Sequence, residues 1–251
     1  MEFHTFGDSS APVMVLIHGM MTPWQVWTDM IKAFEQRYYV IVPELDAHTE
    51  NEVSSFDSVE DEAVKIAEYL LDNDLTEIDT VCGMSMGGAI AYTMWELGTV
   101  GIKNLVLDGA PLKPMPAIAE KFMTMSYNSI LKKTAKRDEK TLERCRRDFL
   151  PERYISDFLK VTDNMQPESV KNIMHSVCNM HIRGGLDDDT RILFIHGTKG
   201  NENVSKKAAE EMKKLYPATK ILCYEGDPHV YKAIRETDIW IRDVEAFINN
   251  T

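Results

Sequence analysis

The residues best suited to chemistry are the pentapeptide Gly83-Met84-Ser85-Met86-Gly87, in which a serine lies between two glycines. It follows the apolar run 78–82 and precedes the apolar segment 88–95, so the order strand, sharp turn and helix is predicted. Such a turn would expose the Ser85 hydroxyl and aim the N–H groups of the helix start at a developing negative charge. The motif also fits a glycine-rich connection with an incidental serine. Other residues must therefore decide whether Ser85 is a nucleophile.

A histidine and two carboxylates follow predicted strands, from which they could assist Ser85. A serine hydroxyl needs a base to take its proton, and that base needs an acid behind it. His229 lies between the last predicted strand and the last predicted helix. We predict that His229 accepts the Ser85 proton during attack and returns it to the leaving group. The candidate acids are Glu202 and Asp108.

Most of the chain alternates short apolar runs with segments of helical periodicity. Strands are predicted at 13–17, 38–42, 78–82, 102–107, 191–196 and 220–224. Helices are predicted at about 24–37, 58–72, 87–95, 205–215 and 231–248. This alternation indicates an α/β fold with a mostly parallel central sheet flanked by helices, formed by residues 1–251 as one domain.

The alternation is interrupted between about residues 111 and 189. Helical patterns dominate there, at 116–133, 139–149, 151–161 and 168–181. A stretch of this length is too helical for a simple crossover, and it follows the carboxyl end of a strand. We therefore predict a helical cap insertion that covers the site.

Together these residues resemble the α/β-hydrolase superfamily over nearly the whole chain. The resemblance is carried by His18-Gly19 after an early strand, the Ser85 turn, the helical insertion and the late His229. In that family the nucleophile precedes the acid and the histidine comes last, an order that Ser85, an intervening carboxylate and His229 satisfy. The resemblance implies the α/β-hydrolase fold and a serine esterase-like activity.

The family pattern leaves two candidates for the acid. Relatives usually carry an aspartate three residues after the glycine that ends the seventh strand, but Gly200 stands at that position here. Glu202 is the one carboxylate in the loop 197–204, and its longer side chain could compensate for the shift. Some relatives carry the acid after the preceding strand, where this chain has Asp108. We expect Glu202 to be the acid and keep Asp108 as the alternative.

The resemblance also implies an oxyanion hole and a substrate pocket. His18-Gly19-Met20-Met21 looks like the oxyanion loop of the family, so the backbone N–H groups of Met20 and Met86 are the predicted donors. His18 itself is expected to bond within the loop. Flexible methionines and a tryptophan near the site suggest a permissive apolar pocket, without strongly anionic substrates. The predicted pocket residues are Met21, Trp24, Met84 and Met115.

Two groups of residues have side chains of the types that bind metals. Glu44, Asp46 and His48 follow a predicted strand, where polar loop residues are more often solvated. His175, Cys178 and His181 recur at helical spacing, which is typical of an ordinary helix face. We therefore expect no metal site and no organic cofactor.

Composition excludes several classes of protein. The formal net charge of −12 argues against binding to nucleic acid or to anionic membranes. No apolar run is long enough to span a membrane, and the first residues do not resemble a secretory signal, so a cytoplasmic location is expected.

The four cysteines lack C-x-x-C spacing and are predicted to be free thiols, buried at Cys82 and Cys223.

The sequence therefore predicts a carboxylesterase-like serine hydrolase. It would cleave small-molecule esters of small to medium apolar acyl groups through an acyl-enzyme formed on Ser85. One alternative is a sensor that binds ligands on the same fold and turns over slowly. Another is cofactor-free lyase or perhydrolase chemistry. The oligomeric state is left open.

Overall fold

A computed structural model describes residues 1–186 and 189–249 of the 251-residue chain. In this part of the chain, seven strands form one sheet in the order β1-β3-β2-β4-β5-β6-β7. β1 is antiparallel to β3, and the other neighbours are parallel. The strands are β1 (Glu2–Phe6), β2 (Val13–Ile17), β3 (Tyr39–Glu44), β4 (Glu77–Met84), β5 (Gly101–Asp108), β6 (Arg191–His196) and β7 (Lys220–Cys223).

Helices connect the strands and cover both faces of the sheet, which confirms the predicted fold class. Short 3-10 turns at Trp24–Trp27 and Glu152–Tyr154 add to them. The helices are α1 (Thr28–Phe34), α2 (Val59–Asp72), α3 (Met86–Leu97), α4 (Ala117–Thr134), α5 (Glu139–Asp148), α6 (Ile155–Asn164), α7 (Pro167–Cys178), α8 (Asn203–Leu215), α9 (Tyr231–Arg235) and α10 (Thr237–Asn249).

The central strands are buried on both faces, as their continuous apolar sequences indicate. All five residues of β2 are buried, and so are the last five residues of β4 and of β5. Because these strands are parallel, their carboxyl ends meet at one edge of the sheet. Met84 at the end of β4 pairs in register with Asp108 at the end of β5, so the loops that follow lie side by side.

Three local features differ from the sequence prediction. β1 was not predicted, because it is a partly exposed edge strand without a long apolar run. The predicted final helix is two helices, α9 and α10, with Glu236 between them. Cys223 is exposed rather than buried, because β7 is the other edge strand of the sheet. The other three cysteines are buried, and all four are free thiols.

The insertion between β5 and β6 contains α4 to α7, with α4 packed against α5, α6 and α7. Asp187 and Asp188, at the predicted end of this insertion, lie outside the described residues. The insertion contributes its own buried apolar residues to the core, including Phe158, Val161 and Ile173. No described helix has the length and apolar character needed to cross a membrane.

Candidate active site

Ser85 occupies a strained turn between β4 and α3. Its backbone angles are φ 54° and ψ −119°, a combination that costs a non-glycine residue on the order of 1–3 kcal/mol. The turn is held on both sides: the Ser85 N–H donates to the Asp108 carbonyl at 2.7 Å, and the Gly88 N–H donates to the Ser85 carbonyl at 2.9 Å. The turn places Ser85, which is partly exposed, directly before the start of α3.

Glycines make this tight path sterically feasible. A Cβ atom on Gly83 would lie 2.2 Å from the Gly87 carbonyl oxygen, inside any allowed contact. A Cβ atom on Gly87 would lie 2.2 Å from the carbonyl oxygen of Ile17 in β2. The first contact closes the turn, and the second brings the start of α3 against the end of β2.

His229 connects Ser85 to Glu202. Its Nε2 atom lies 2.9 Å from the Ser85 Oγ, and its Nδ1 atom is hydrogen-bonded to Glu202 Oε1. The second oxygen of Glu202 accepts a hydrogen bond of 2.7 Å from the Gly197 N–H. If Nδ1–H donates to the carboxylate, Nε2 is left free to accept the proton of Ser85.

Main-chain hydrogen bonds join the loop of Glu202 to the loop of His229. The Asp227 carbonyl accepts from the N–H groups of Thr198 and Lys199 at 2.9 and 3.0 Å. A Cβ atom on Gly197 would lie 2.3 Å from that same carbonyl oxygen, so the two loops are in close contact. Because of these contacts, the distance between acid and base depends on rigid backbone rather than on two independent loops.

The rival carboxylate, Asp108, has a different partner. It is buried at the end of β5, where Oδ2 accepts a hydrogen bond of 3.0 Å from the indole N–H of Trp240. Burial, and then the nearby negative charge of Glu202, raise the pKa of Asp108 to about 7. Among the hydrogen bonds of the described residues, the Asp108 carboxylate is thus bonded to Trp240 and not to His229.

The pKa of Glu202 is shifted in the opposite direction. Burial alone would raise it, but the hydrogen bond and charge of His229, together with the Gly197 N–H, keep this pKa below its ordinary value. Glu202 is 1% exposed and remains ionised at neutral pH. Of the two carboxylates, the structure brings Glu202 to the imidazole and leaves Asp108 on the indole.

The loop after β2 lies against Ser85. A Cβ atom on Gly19 would lie 3.3 Å from the Ser85 Cβ, so Gly19 permits the close approach of this loop. Met20 follows Gly19, and Met86 is the first residue of α3 directly after Ser85. Both methionine residues are buried. Their assignment as oxyanion donors stays a prediction.

Two buried histidines hold this loop in place. His18 Nδ1 is hydrogen-bonded to the Gly19 carbonyl at 2.9 Å, while its Nε2 accepts from the Leu45 N–H at 3.2 Å. His48 Nε2 accepts from the Met21 N–H at 2.9 Å. Both rings are neutral, because burial lowers the pKa of His18 to about 3 and that of His48 to about 4. His18 thus bonds within the loop, as the sequence predicted.

The prediction that Glu44, Asp46 and His48 are solvated loop residues is wrong. They are 1%, 6% and 0% exposed, because the segment after β3 folds under the loop of Gly19. His48 Nδ1 is hydrogen-bonded to the Asp46 carbonyl at 2.9 Å, which leaves Nε2 to accept from Met21. The sequence signal that could have identified this role is a histidine at the carboxyl end of a neighbouring strand.

Glu44 and Asp46 belong to two separate clusters, and within each cluster the side-chain oxygen or nitrogen atoms lie within 4.8 Å of one another. These are Glu2–His4–Glu44 and Asp46–Asp61–Glu62. The second cluster surrounds the Lys65 ammonium group, which lies 2.7 Å from Asp46 and 2.6 Å from Asp61.

The other group with metal-binding side chains, His175, Cys178 and His181, does not share one helix face. The helix α7 ends at Cys178, so His181 does not continue the helical face with His175.

The structure places the four predicted pocket residues in different surroundings. Met21 lines a cavity between the sheet and the insertion. Trp24 stacks on His4 beside the edge strand β1, with ring centroids 4.1 Å apart, so it packs the edge of the sheet instead. Met84 is fully buried at the end of β4. Met115 packs against Cys178, with the two sulfur atoms 3.9 Å apart.

The cavity lined by Met21 has a volume of about 370 Å³. It lies beneath α4, α5 and α6, and it also touches Asn201, the neighbour of Glu202. The cavity therefore adjoins the loop after β2, through Met21, and the loop of Glu202, through Asn201. A larger open depression, of about 880 Å³, is lined by residues of α1 and α10 such as Asp29 and Arg242 instead of by these loops.

Comparison with known proteins assigns the chain to a family. Residues 12–153 match the family described as the alpha/beta hydrolase fold. No curated protein sequence matches the chain significantly.

Solved structures resemble the chain over almost its entire length. An α/β-hydrolase family protein from Desulfitobacterium hafniense has a TM-score of 0.80 at 20% identity, covering 99% of this chain and 100% of its own. The enol-lactonase from Burkholderia xenovorans has a TM-score of 0.75 at 15% identity, with 99% and 96% coverage. A thermophilic esterase from Thermogutta terrifontis has a TM-score of 0.73 at 16% identity, with 99% and 94% coverage. At these identities the likeness concerns the fold.

Proposed function

Because the chain belongs to the α/β-hydrolase family, we propose that it is a serine hydrolase that cleaves carboxylic esters of small to medium apolar acyl groups. The observation that carries the proposal is the hydrogen-bonded series Ser85–His229–Glu202. A nucleophile, a base and an acid that converge from three separate loops are the minimum set for acyl transfer at a serine. The resemblance to solved esterase and lactonase structures agrees with this reaction class.

In the first step, the Ser85 Oγ attacks the ester carbonyl carbon while His229 Nε2 accepts the hydroxyl proton. The imidazolium that forms is stabilised by the ionised Glu202, whose orientation depends on the Gly197 N–H. The new oxyanion would accept hydrogen bonds from the Met20 amide in the loop after β2 and from the Met86 amide at the start of α3. Removing one such donor typically costs about 2.7–4 kcal/mol of transition-state stabilisation.

Collapse of the tetrahedral intermediate breaks the carbon–oxygen bond to the alcohol. His229 donates its proton to the departing oxygen, so the alcohol leaves neutral and the acyl group stays on Ser85. Water then attacks the acyl-enzyme with His229 again as the base, and the carboxylic acid is released. Every proton transfer therefore uses the same imidazole, which is 27% exposed and accessible to water.

The proposal is tested by turnover of short-chain aryl esters, with the released acid and alcohol both quantified. We expect burst kinetics for the wild type and loss of turnover in Ser85→Ala, with equal amounts of acid and alcohol. Rates near background, together with thermal stabilisation by a small ligand, would instead support a sensor. Products without the free acid would favour lyase or perhydrolase chemistry. Either result would overturn the esterase proposal.

A further inference from the structure

The cavity beneath the insertion is apolar inside and polar at one end. Its wall includes Met21 of the proposed oxyanion loop and the aromatic rings of Phe149 and Phe158, whose centroids are 6.1 Å apart. The polar end carries the charged side chains of Arg144 and Asp148 from α5. The volume of about 370 Å³ holds roughly a dozen non-hydrogen atoms, at about 30 Å³ for each water-sized group.

A surface groove of about 320 Å³ continues from the polar end of this cavity. The groove and the cavity share Phe122, Ser126, Ile130 and Arg144 as lining residues. Phe122 is 71% exposed, and it lies on one face of α4 with the exposed side chains of Ile118 and Met125. The groove is lined by both apolar and polar side chains, and it leads from the surface of α4, past Arg144, into the cavity.

Arg144 differs from the other arginines of the insertion. Among the described residues, the other five make ion pairs: Arg137 with Asp163, Arg146 with Glu139, Arg147 with Asp148, Arg153 with Asp29 and Arg183 with Glu96. Arg144 has no such partner within the described chain. Asp148, four residues further along α5, binds Arg147 through both oxygens at 2.7 Å. Arg144 also interacts electrostatically with Asp148, and Lys133 is a second cation of the groove, but among the described residues Arg144 is the cation that lines both the groove and the cavity.

We infer that the cavity binds the apolar chain of the ester substrate and that Arg144 binds a carboxylate at the far end of that chain. The inference rests on the proposed function and narrows its substrate class to esters with an apolar chain that ends in a carboxylate, such as hemiesters of dicarboxylic acids. The sequence alone predicted no strongly anionic substrate. The substrate inferred here carries one negative charge, at the solvent-facing end of its chain.

The physical basis is the pairing of a planar guanidinium group with a planar carboxylate. Arginine presents two parallel N–H groups that match both carboxylate oxygens, so the contact selects this ligand over an uncharged end. Water reaches the exposed Arg144 and weakens the attraction. We therefore expect the terminal carboxylate to improve binding by about tenfold rather than by several orders of magnitude.

The test measures binding of monomethyl adipate and of methyl hexanoate to Ser85→Ala protein by titration calorimetry. These two esters differ in the charged end of the chain, and the serine substitution prevents turnover. We expect monomethyl adipate to bind about tenfold more tightly. The same ratio should fall to about one in Ser85→Ala/Arg144→Gln and recover partly in Ser85→Ala/Arg144→Lys.

Lys140→Gln in the same background is the matched control, because Lys140 lies on α5, carries the same charge and does not line the cavity or the groove. It should leave the ratio unchanged, and thermal unfolding of each variant verifies folding. The inference is overturned if the ratio is unchanged in the Arg144→Gln variant, or if it falls equally in the Arg144→Gln and Lys140→Gln variants. It is also overturned if neither ester binds. Turnover of neutral aryl esters by the wild type tests the esterase proposal separately.

Discussion

The backbone N–H of Met21 donates a hydrogen bond of 2.9 Å to Nε2 of the fully buried His48. Met21 has a φ of 57°, an uncommon value for a non-glycine residue, and this hydrogen bond helps to hold it there. Met21 follows Met20, whose own amide is the proposed oxyanion donor. We therefore propose that His48 is a positioning residue, which fixes the direction of the proposed oxyanion loop without touching a reacting atom itself.

We predict that His48→Ala lowers kcat roughly 10- to 100-fold with a smaller change in KM, because a displaced donor stabilises the transition state less than before. His48→Gln should restore much of kcat, since its amide can accept from Met21 and donate to the Asp46 carbonyl. Steady-state kinetics of both variants on one aryl ester checks this. A merely structural role would lower the folded fraction without changing kcat per folded molecule.

The same histidine should make stability depend on pH. Unfolded His48 takes up a proton below about pH 6.5, whereas burial keeps the folded ring neutral down to about pH 4. Its contribution to the free energy of unfolding is therefore complete above pH 6.5 and is lost as the pH falls toward 4.

Glu62 and Asp108 have raised pKa values and act in the opposite direction, so the contribution of His48 needs a difference measurement. We predict that the stability advantage of wild type over His48→Gln shrinks between pH 7 and pH 5. Urea unfolding at both pH values measures it. An advantage that is constant or larger at pH 5 would contradict the neutral, buried state of His48.

The two carboxylates near His229 should respond very differently to substitution. Glu202→Gln removes the charge that stabilises the imidazolium, and losses of about 10⁴ in kcat are known for such a change at a triad acid. Asp108→Asn keeps a group that can accept from the Trp240 indole, so we expect less than about a tenfold change. The comparison uses kcat at one pH. A larger loss in Asp108→Asn would move the acid assignment to Asp108.

Gly109 should be intolerant of any side chain because of its contact with the His229 ring. It has a φ of 64°, and a Cβ atom there would lie 2.6 Å from His229 Cε1. Gly109→Ala should therefore displace His229 and lower kcat as well as stability. Gly98 is the matched control, since its φ is 62° and its Cβ would meet nothing within 4 Å.

We expect Gly98→Ala to cost about 1 kcal/mol of stability through backbone strain alone, with kcat unchanged. Thermal unfolding and kinetics on the two variants separate strain from the displacement of His229. If both variants retained full kcat, the tight packing of Gly109 under His229 would be refuted.

The sequence predicted the parts of the fold that depend on local pattern. The buried strands β2, β4 and β5 have continuous apolar runs, and the helices of the insertion have clear periodicity, so these elements were expected close to their observed bounds. β1 escaped prediction because its stability comes from pairing with β3, a contact that the local sequence does not encode.

The site was predictable in its order but less so in its packing. The order of Ser85, Glu202 and His229 was evident along the chain, whereas the choice between Glu202 and Asp108 depended on loop geometry, since both carboxylates follow neighbouring strands. Trp24 was expected in the pocket because of its type and its distance from Met21 along the chain, but it packs beside β1. The buried role of His48 required knowledge of which loop covers it.

The most direct test of the account is covalent labelling of Ser85 by a fluorophosphonate probe. Such a probe reacts with a serine that its histidine has activated, so it reports on the nucleophile without knowledge of the natural substrate. Intact-mass measurement should find one probe adduct on the wild type and none on Ser85→Ala. Absence of an adduct on the wild type, or an equal adduct on Ser85→Ala, would contradict the assignment of Ser85 as the nucleophile.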